Sequence, residues 1–193
     1  MILDLFAKFN FLDFIILIVA FRICYIAAKT GLSFEIFKFL GVIFSIYIAL
    51  HYYVSLSDLI QRRFFYEVMP VEFMDFLIFI LLILIGYLFF VILRNLLSRF
   101  IKLDPLSKIN QLLGLILGIG RGYLVIGLVS FILVISSVSY LSNSVKHSYL
   151  GSRAILILPQ EYGWLWNNIF SKFFTQEKYN SLVTNIVEKF NRS

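Results

Sequence analysis

Four long runs of apolar side chains constrain this chain more than any motif does. They cover about residues 11–28, 39–56, 76–93 and 112–138, and an α-helix needs about 17–25 residues to cross the hydrocarbon core of a bilayer. The chain is 61% hydrophobic and 15% charged, whereas soluble domains are roughly 45–50% apolar and about 25% charged. The sequence therefore predicts an all-α, polytopic membrane protein with four transmembrane helices.

The first run has a rival interpretation as a secretory signal peptide. Its leader is not clearly basic, and no small-x-small cleavage site follows it cleanly. We therefore expect a membrane span, and residues 1–140 are predicted to form a four-span membrane domain.

Residues 141–193 are predicted to form a polar and aromatic tail. Tyr162, Trp164 and Trp166 are typical of an aromatic belt at a membrane interface. Apolar residues between Gln176 and Phe190 recur at helical spacing. This pattern predicts a C-terminal amphipathic helix that lies on the membrane, on a partner or on the protein's own spans.

Glycines in the fourth run indicate close helix packing. Gly114, Gly118 and Gly122 recur every fourth residue and line one face of a helix. Such a face lets another helix backbone approach closely, which is how helices associate in lipid. Gly31 and Gly41 are further candidates for helix packing.

The fourth apolar run, from Ile109 to about Val138, is too long for one straight crossing, since about 30 helical residues span roughly 45 Å. A continuous helix would leave Arg121 deep in the membrane and in need of a partner. A break near Gly118–Gly122 would place it close to the cytoplasmic headgroups. The candidate partners are Asp13, Glu35 and Asp104.

Ionisable residues within or beside apolar runs are candidates for function, because a charge is costly in lipid unless it is paired, hydrated or near a headgroup. The candidates are Arg121, Arg22, Glu35 and Lys29.

Basic residues in the odd-numbered connections predict the orientation. Lys29 and Lys38 lie between the first two runs, and a basic loop between the last two runs carries Arg94, Arg99, Lys102 and Lys108. The positive-inside rule places both connections in the cytoplasm and both termini outside. The basic loop is expected to contact anionic lipid headgroups or a cytoplasmic component.

No pattern of catalytic or metal-binding residues stands out. His51 and His147 are isolated and are expected to be polar interfacial residues, and Cys24 is expected to be a small apolar filler. We expect no enzymatic activity, no metal, no cofactor and no binding of nucleic acid, since no basic patch lies on a soluble element.

Several segments together resemble the colicin V production protein (CvpA) family. They are Gly31-x-x-x-Glu35 followed by Gly41, the stretch Leu93-Arg94-Asn-Leu-Leu-Ser-Arg99, and Pro105-Leu-Ser-Lys-Ile-Asn-Gln-Leu-Leu-Gly114-x-x-x-Gly118-x-x-Arg121-Gly122. The resemblance covers roughly residues 11–140. It implies a small four-span protein of the bacterial inner membrane, involved in toxin production or export and in envelope maintenance.

Two positions depart from the pattern of that family. Asn110-Gln111 stands where the family has an acidic-basic pair, and Thr30-Gly31 stands where it has a basic residue before glycine. A salt bridge or proton step that uses the first pair is therefore in doubt for this chain.

Three interpretations follow. In the first, the protein is a non-enzymatic scaffold or accessory factor whose glycine face holds helices together within the chain, with a second copy or with another membrane protein. In the second, it is a small oligomeric channel or transporter with Arg121 and Arg22 along an anion path. In the third, both arginines only extend toward headgroups.

Overall fold

The computed structural model describes residues 9–64, 70–97, 107–136 and 138–192, without the side chains of residues 64, 97 and 191. Within these ranges the structure is all-helical, as predicted. Three long helices are α1 Phe11–Phe64, α2 Val71–Leu97 and α3 Lys108–Ile135. Shorter elements follow: α4 Ser139–His147, α5 Gly151–Ala154, α6 Ile157–Leu165, a π-helical turn Trp166–Phe170, α7 Ser171–Phe173 and α8 Leu182–Arg192.

Helix α1 contains both of the first two predicted spans. Gly31 interrupts it with φ 74° and ψ 174°, a left-handed conformation that glycine adopts without steric cost. The segments on either side, called the first arm (11–30) and the second arm (32–64), are helical up to this residue.

The chain reverses direction at Gly31, as the contacts with α3 demonstrate. Along the first arm, a Cβ at Gly118 would meet Ala27 and one at Gly122 would meet Ile23, so this arm runs antiparallel to α3. Along the second arm, Leu32 bonds Asn110 and Phe39 faces Gly120, so this arm runs parallel to α3. Helical structure continues directly after Gly31, so the polar connection expected there is reduced to a single non-helical residue.

Three helices among the described residues are long and apolar enough to cross a membrane. The prediction of four separate transmembrane helices is therefore not confirmed, although α1 holds two antiparallel arms. The fourth predicted span, 112–138, begins earlier and ends earlier, at Lys108–Ile135. It is one continuous helix through Gly118–Gly122, so the alternative with a break there is wrong.

Small residues and aromatic rings pack α2 against the second arm. A Cβ at Gly86 would lie 2.9 Å from the Ser45 Cα, and one at Gly41 would lie 2.9 Å from the Phe90 Cβ. Gly41 therefore lies where the second arm approaches α2 closely. The opposite face of α2 carries exposed leucine, isoleucine and phenylalanine side chains, as a helix beside lipid requires.

The C-terminal elements pack on the end of the bundle remote from Gly31. Helix α8 is amphipathic, as predicted, but it begins at Leu182 and not at Gln176. It buries Val183, Val187 and Phe190 in the protein's own core. The prediction of an aromatic belt is wrong for Tyr162 and Trp166, because both are buried in that core. Trp164, the third member of the predicted belt, is 60% exposed.

Candidate functional site: a buried ion cluster beside the Gly31 turn

The predicted glycine face brings α3 onto the first arm within the same chain. A Cβ at Gly114 would lie 2.6 Å from the Gly31 carbonyl carbon and 2.9 Å from the Ala27 oxygen, and one at Gly118 would overlap the Ala27 Cβ. A Cβ at Gly122 would lie 3.7 Å from Ile23, an ordinary contact distance. Gly114 and Gly118 are therefore the members of the face that permit the close approach.

We expect Gly118→Ala to destabilise the protein by about 1–3 kcal/mol, because the added methyl group must displace the first arm. Adding Ala27→Gly to Gly118→Ala exchanges the two residues across the contact and restores its total side-chain volume. The double variant should therefore recover most of the lost stability. Reversible unfolding in mixed detergent–dodecyl sulfate micelles measures both values. A double variant as unstable as the single one would contradict the intramolecular contact.

Arg121 and Glu35 form a buried ion pair at this contact. The Arg121 Nε contacts the Glu35 Oε1, and the two residues are 8% and 0% exposed. The Lys38 Nζ lies 3.1 Å from the Glu35 Oε2 and 3.2 Å from the Thr30 Oγ1. The hydroxyl of Thr30 lies 3.4 Å from the same Glu35 oxygen. We call these four residues the ion cluster.

The ion cluster explains how α3 tolerates an arginine in an apolar helix. The Glu35 carboxylate faces two cations, Arg121 and Lys38. It neutralises one of the two positive charges, so the ion cluster has a net charge of +1. Among the three candidate partners of Arg121, the structure selects Glu35. Asp13 is bonded elsewhere, and Asp104 lies outside the described residues.

Asn110, at the start of α3, stabilises the turn at Gly31. Its Oδ1 accepts a hydrogen bond of 2.9 Å from the Leu32 N–H, the first backbone donor after Gly31. A Cβ at Gly31 would lie 2.7 Å from the Asn110 Nδ2. The amide therefore satisfies an otherwise unbonded donor at the start of the second arm, and glycine is required opposite it.

The other predicted basic residues surround the same end of the bundle without joining the ion cluster. The Lys29 Nζ lies 4.5 Å from the Tyr25 ring centre, Arg94 bonds Asn95, and Lys108 begins α3 in an exposed position. Arg99 and Lys102 lie outside the described residues. Arg22, the remaining candidate, lies on an exposed face of the first arm and not beside Arg121.

A cavity of about 290 Å³ adjoins Arg121 between the two arms, α2 and α3. Its other lining residues are Ile23, Val42, Ser45, Ile83, Leu84, Tyr87, Val125 and Leu128. The lining thus holds one cation and no carboxylate or imidazole.

A second polar cluster, missed at the sequence level, lies at the opposite end of the bundle. The His51 Nδ1 lies 2.8 Å from the Tyr162 hydroxyl, and its Nε2 lies 2.9 Å from the Glu177 Oε2. The Tyr52 hydroxyl donates to the same carboxylate, at 2.9 Å. The expectation that His51 is isolated is wrong, since its partners lie more than 100 residues away in the sequence.

This carboxylate–imidazole–phenol chain has the parts of a nucleophilic triad, but its phenol is inaccessible. Tyr162 is fully buried, and its oxygen also accepts a hydrogen bond of 3.0 Å from the Asn180 N–H. Burial raises the pKa of Tyr162 to about 12, so the phenol stays protonated at neutral pH. The chain of bonds therefore fastens α6 and residues 177–180 to the second arm.

Asp13 fastens the N-terminal end of the first arm to the C-terminal elements. One oxygen accepts hydrogen bonds from the Ser148 hydroxyl at 2.6 Å and the Leu150 N–H at 2.7 Å. The other accepts from the Tyr149 N–H at 3.1 Å and the Asn10 N–H at 2.7 Å. The last contact is one half of a capping box, which the spacing of Asn10 and Asp13 before an apolar run could have indicated.

Residues 12–159 match the colicin V production protein family, which is more than half of the chain. The chain belongs to the colicin V production protein family. No curated protein and no solved structure matches it. The family and the apolar helices together fit a membrane protein of colicin production.

The family match includes both arms from residue 12, α2 to α5 and only the first three residues of α6. It therefore spans the ion cluster and the contacts of Asp13 with residues 148–150. It ends before Tyr162 and Glu177, so both partners of His51 lie beyond it. Within the described residues, no group of histidine, cysteine and acidic side chains could hold a metal ion.

Glu161, in α6, should make the stability of the folded protein depend on pH. Burial raises its pKa to about 7, and its Oε2 makes no hydrogen bond within the described residues. The folded protein therefore holds a proton that the unfolded chain, with a glutamate pKa near 4.5, releases at lower pH. Stability should fall as pH rises from about 4.5 to about 7, by at most about 3 kcal/mol. Unfolding free energies measured across this pH range should no longer fall with pH in Glu161→Gln. An unchanged pH dependence in that variant would assign the effect to another group.

Proposed function

We propose that this member of the colicin V production protein family is a non-enzymatic accessory or scaffold factor of the bacterial inner membrane. Its role is in toxin production or export and in envelope maintenance. The proposal rests on one observation, which is that the buried charged and polar side chains connect segments of the fold. Arg121, Glu35, Asp13 and His51 are each paired or hydrogen-bonded to another segment of the chain, and so they join segments of the fold to one another.

We further propose that the two arms of α1, with α2 and α3, make four membrane crossings. The 20 residues of the first arm would span about 30 Å as a helix, which equals the thickness of the hydrocarbon core. The turn at Gly31 keeps the two arms antiparallel, so each arm can cross once.

The Gly31 end of the bundle is proposed to face the cytoplasm. Lys29, Lys38, Arg94 and Lys108 all belong to segments at this end, which agrees with the positive-inside rule. Both termini and helices α4 to α8 are then outside the cytoplasm. The same cations are positioned to contact anionic lipid headgroups.

The channel alternative needs an assembly of several chains. Arg121 is paired with Glu35 inside the bundle, whereas Arg22 is exposed on the far side of the first arm. One chain therefore offers no single path that both arginines line. This separation favours the scaffold.

Toxin secretion tests the accessory role. In a bacterium that carries the colicin V genes but lacks this protein, we expect toxin in the medium to fall at least tenfold while toxin synthesis inside the cell continues. The wild-type gene and the Gly118→Ala, Ala27→Gly exchange should restore secretion. Unchanged secretion without the protein would refute the role.

A further inference from the structure

Arg22 has no partner within the described protein. Arg22 lies on the exposed face of the first arm and makes no ion pair or hydrogen bond with another described residue. Its neighbours on this face are apolar and exposed: Phe14, Ile15, Ile18, Phe21, Tyr25 and Ile26. We call this surface the Arg22 face.

Arg22 lies near the middle of the membrane if the first arm spans it. It stands 11 residues after Phe11 and nine before Gly31, which corresponds to about 17 Å and about 14 Å along the helix. The ends of the arm are too distant for snorkelling to bring the charge fully into water at low cost. A lipid-facing arginine at this depth therefore calls for a negatively charged partner.

A second copy of the chain does not supply that partner. Asp13 and Glu35 are buried and already bonded. Asp58, Glu72 and Asp75 belong to the other end of the bundle, where Ser57 contacts Asp75. Within the described residues, no carboxylate is exposed at the depth of Arg22.

We propose that the Arg22 face docks a transmembrane helix of another protein that carries aspartate or glutamate near the middle of its span. Phe21 and Tyr25, 75% and 62% exposed, flank Arg22 and provide apolar surface around the ion pair. Inside the hydrocarbon core such a pair is only weakly screened, and it fixes the depth at which the two helices meet. This inference rests on the proposed accessory role, because it specifies the chemistry of the partner that the scaffold holds.

Synthetic transmembrane peptides test the inference directly. The purified full-length protein, labelled with a fluorescence donor, is placed in phosphatidylcholine liposomes with acceptor-labelled leucine-rich peptides of about 20 residues. We expect the peptide with a central glutamate to associate at least tenfold more tightly than the same peptide with leucine. Arg22→Leu should abolish this preference, Arg22→Lys should retain it, and Arg22→Glu should transfer it to a peptide with a central lysine.

The control removes a cation from the same arm at a different depth. Lys29 is exposed near the Gly31 turn, seven residues after Arg22, so Lys29→Leu should leave the preference unchanged.

Three results would overturn the inference. They are equal binding of the glutamate and leucine peptides, self-association of the protein that depends on Arg22, and a preference abolished by adding phosphatidylglycerol, which would assign Arg22 to a lipid headgroup. The liposomes contain no toxin machinery, so failure here leaves the secretion result for the accessory role unaffected.

Discussion

Glu35→Leu should destabilise the protein by about 3–5 kcal/mol, because it leaves the Arg121 guanidinium buried without its counter-ion. Lys38 loses the same carboxylate, although its side chain retains 12% exposure. Arg121→Leu should cost less, since Glu35 keeps Lys38 as a partner at 3.1 Å. Unfolding of the purified variants by dodecyl sulfate in mixed micelles gives the two free energies.

The double variant Glu35→Leu, Arg121→Leu isolates the coupling between the two charges. It removes both of them together, so it should be more stable than Glu35→Leu alone. Glu188→Leu is the matched control, because Glu188 pairs with Arg192 at 3.5 Å on the exposed surface, and such pairs contribute at most about 1 kcal/mol. Strictly additive effects of the two single substitutions would show that Arg121 and Glu35 do not depend on each other.

Asp13→Ala should destabilise the contact between the first arm and the C-terminal elements by about 3–5 kcal/mol. The substitution deprives three backbone N–H groups and the Ser148 hydroxyl of their acceptor. Since these bonds join α1 to the segment before α5, residues 139–192 should become sensitive to protease well before α1 to α3 do. Limited proteolysis of the protein in nanodiscs, followed by mass spectrometry, measures this difference.

Ser148→Ala provides the graded comparison for the Asp13 contacts. It removes one donor to Asp13 and the acceptor of the Gly151 N–H, at 2.8 Å, and should cost about 1–2 kcal/mol. Asp58→Ala, on the same helix but without a described bond to the C-terminal elements, should leave the proteolysis pattern unchanged. Equal protection of residues 139–192 in Asp13→Ala and in the wild type would contradict the role assigned to Asp13.

Periodic patterns allowed much of the fold to be predicted from the sequence. The long apolar runs indicate the helices of the bundle, and the spacing of Val183, Ile186 and Phe190 predicts an amphipathic helix. In α8, Val183 and Phe190 are buried, and so is Val187, which that pattern does not include.

The four-residue spacing of Gly114, Gly118 and Gly122 predicts one contact face. In the structure, Gly114 and Gly118 lie in the close approach to the first arm, and Gly122 makes an ordinary contact. Periodicity and residue spacing are local properties, so they can be recognised in the sequence of a single segment.

Contacts between distant segments could not be predicted in the same way. Arg121 had three acidic candidates, and the choice of Glu35 depends on how α3 crosses both arms. The aromatic character of Tyr162 and Trp166 is the same in an interfacial belt and in a core, so composition could not separate the two. His51 acquires its partners only when the C-terminal elements fold back onto the second arm.

The turn at Gly31 is a further feature that could not be predicted from the sequence. Charged residues on both sides of it are typical of a loop between spans, yet both sides are helical. The reversal needs one residue with positive φ and a capping amide from Asn110, 79 positions later. That capping partner is not identifiable without the tertiary structure.

We propose that Arg121 is a structural charge that Glu35 neutralises, in a protein that holds other components and does not transport solutes. The most direct test is ion and solute flux through the purified, correctly inserted protein in liposomes, wild type against Arg121→Gln. We expect neither preparation to exceed empty liposomes. Flux through the wild type that Arg121→Gln abolishes would contradict the claim and identify a transport protein.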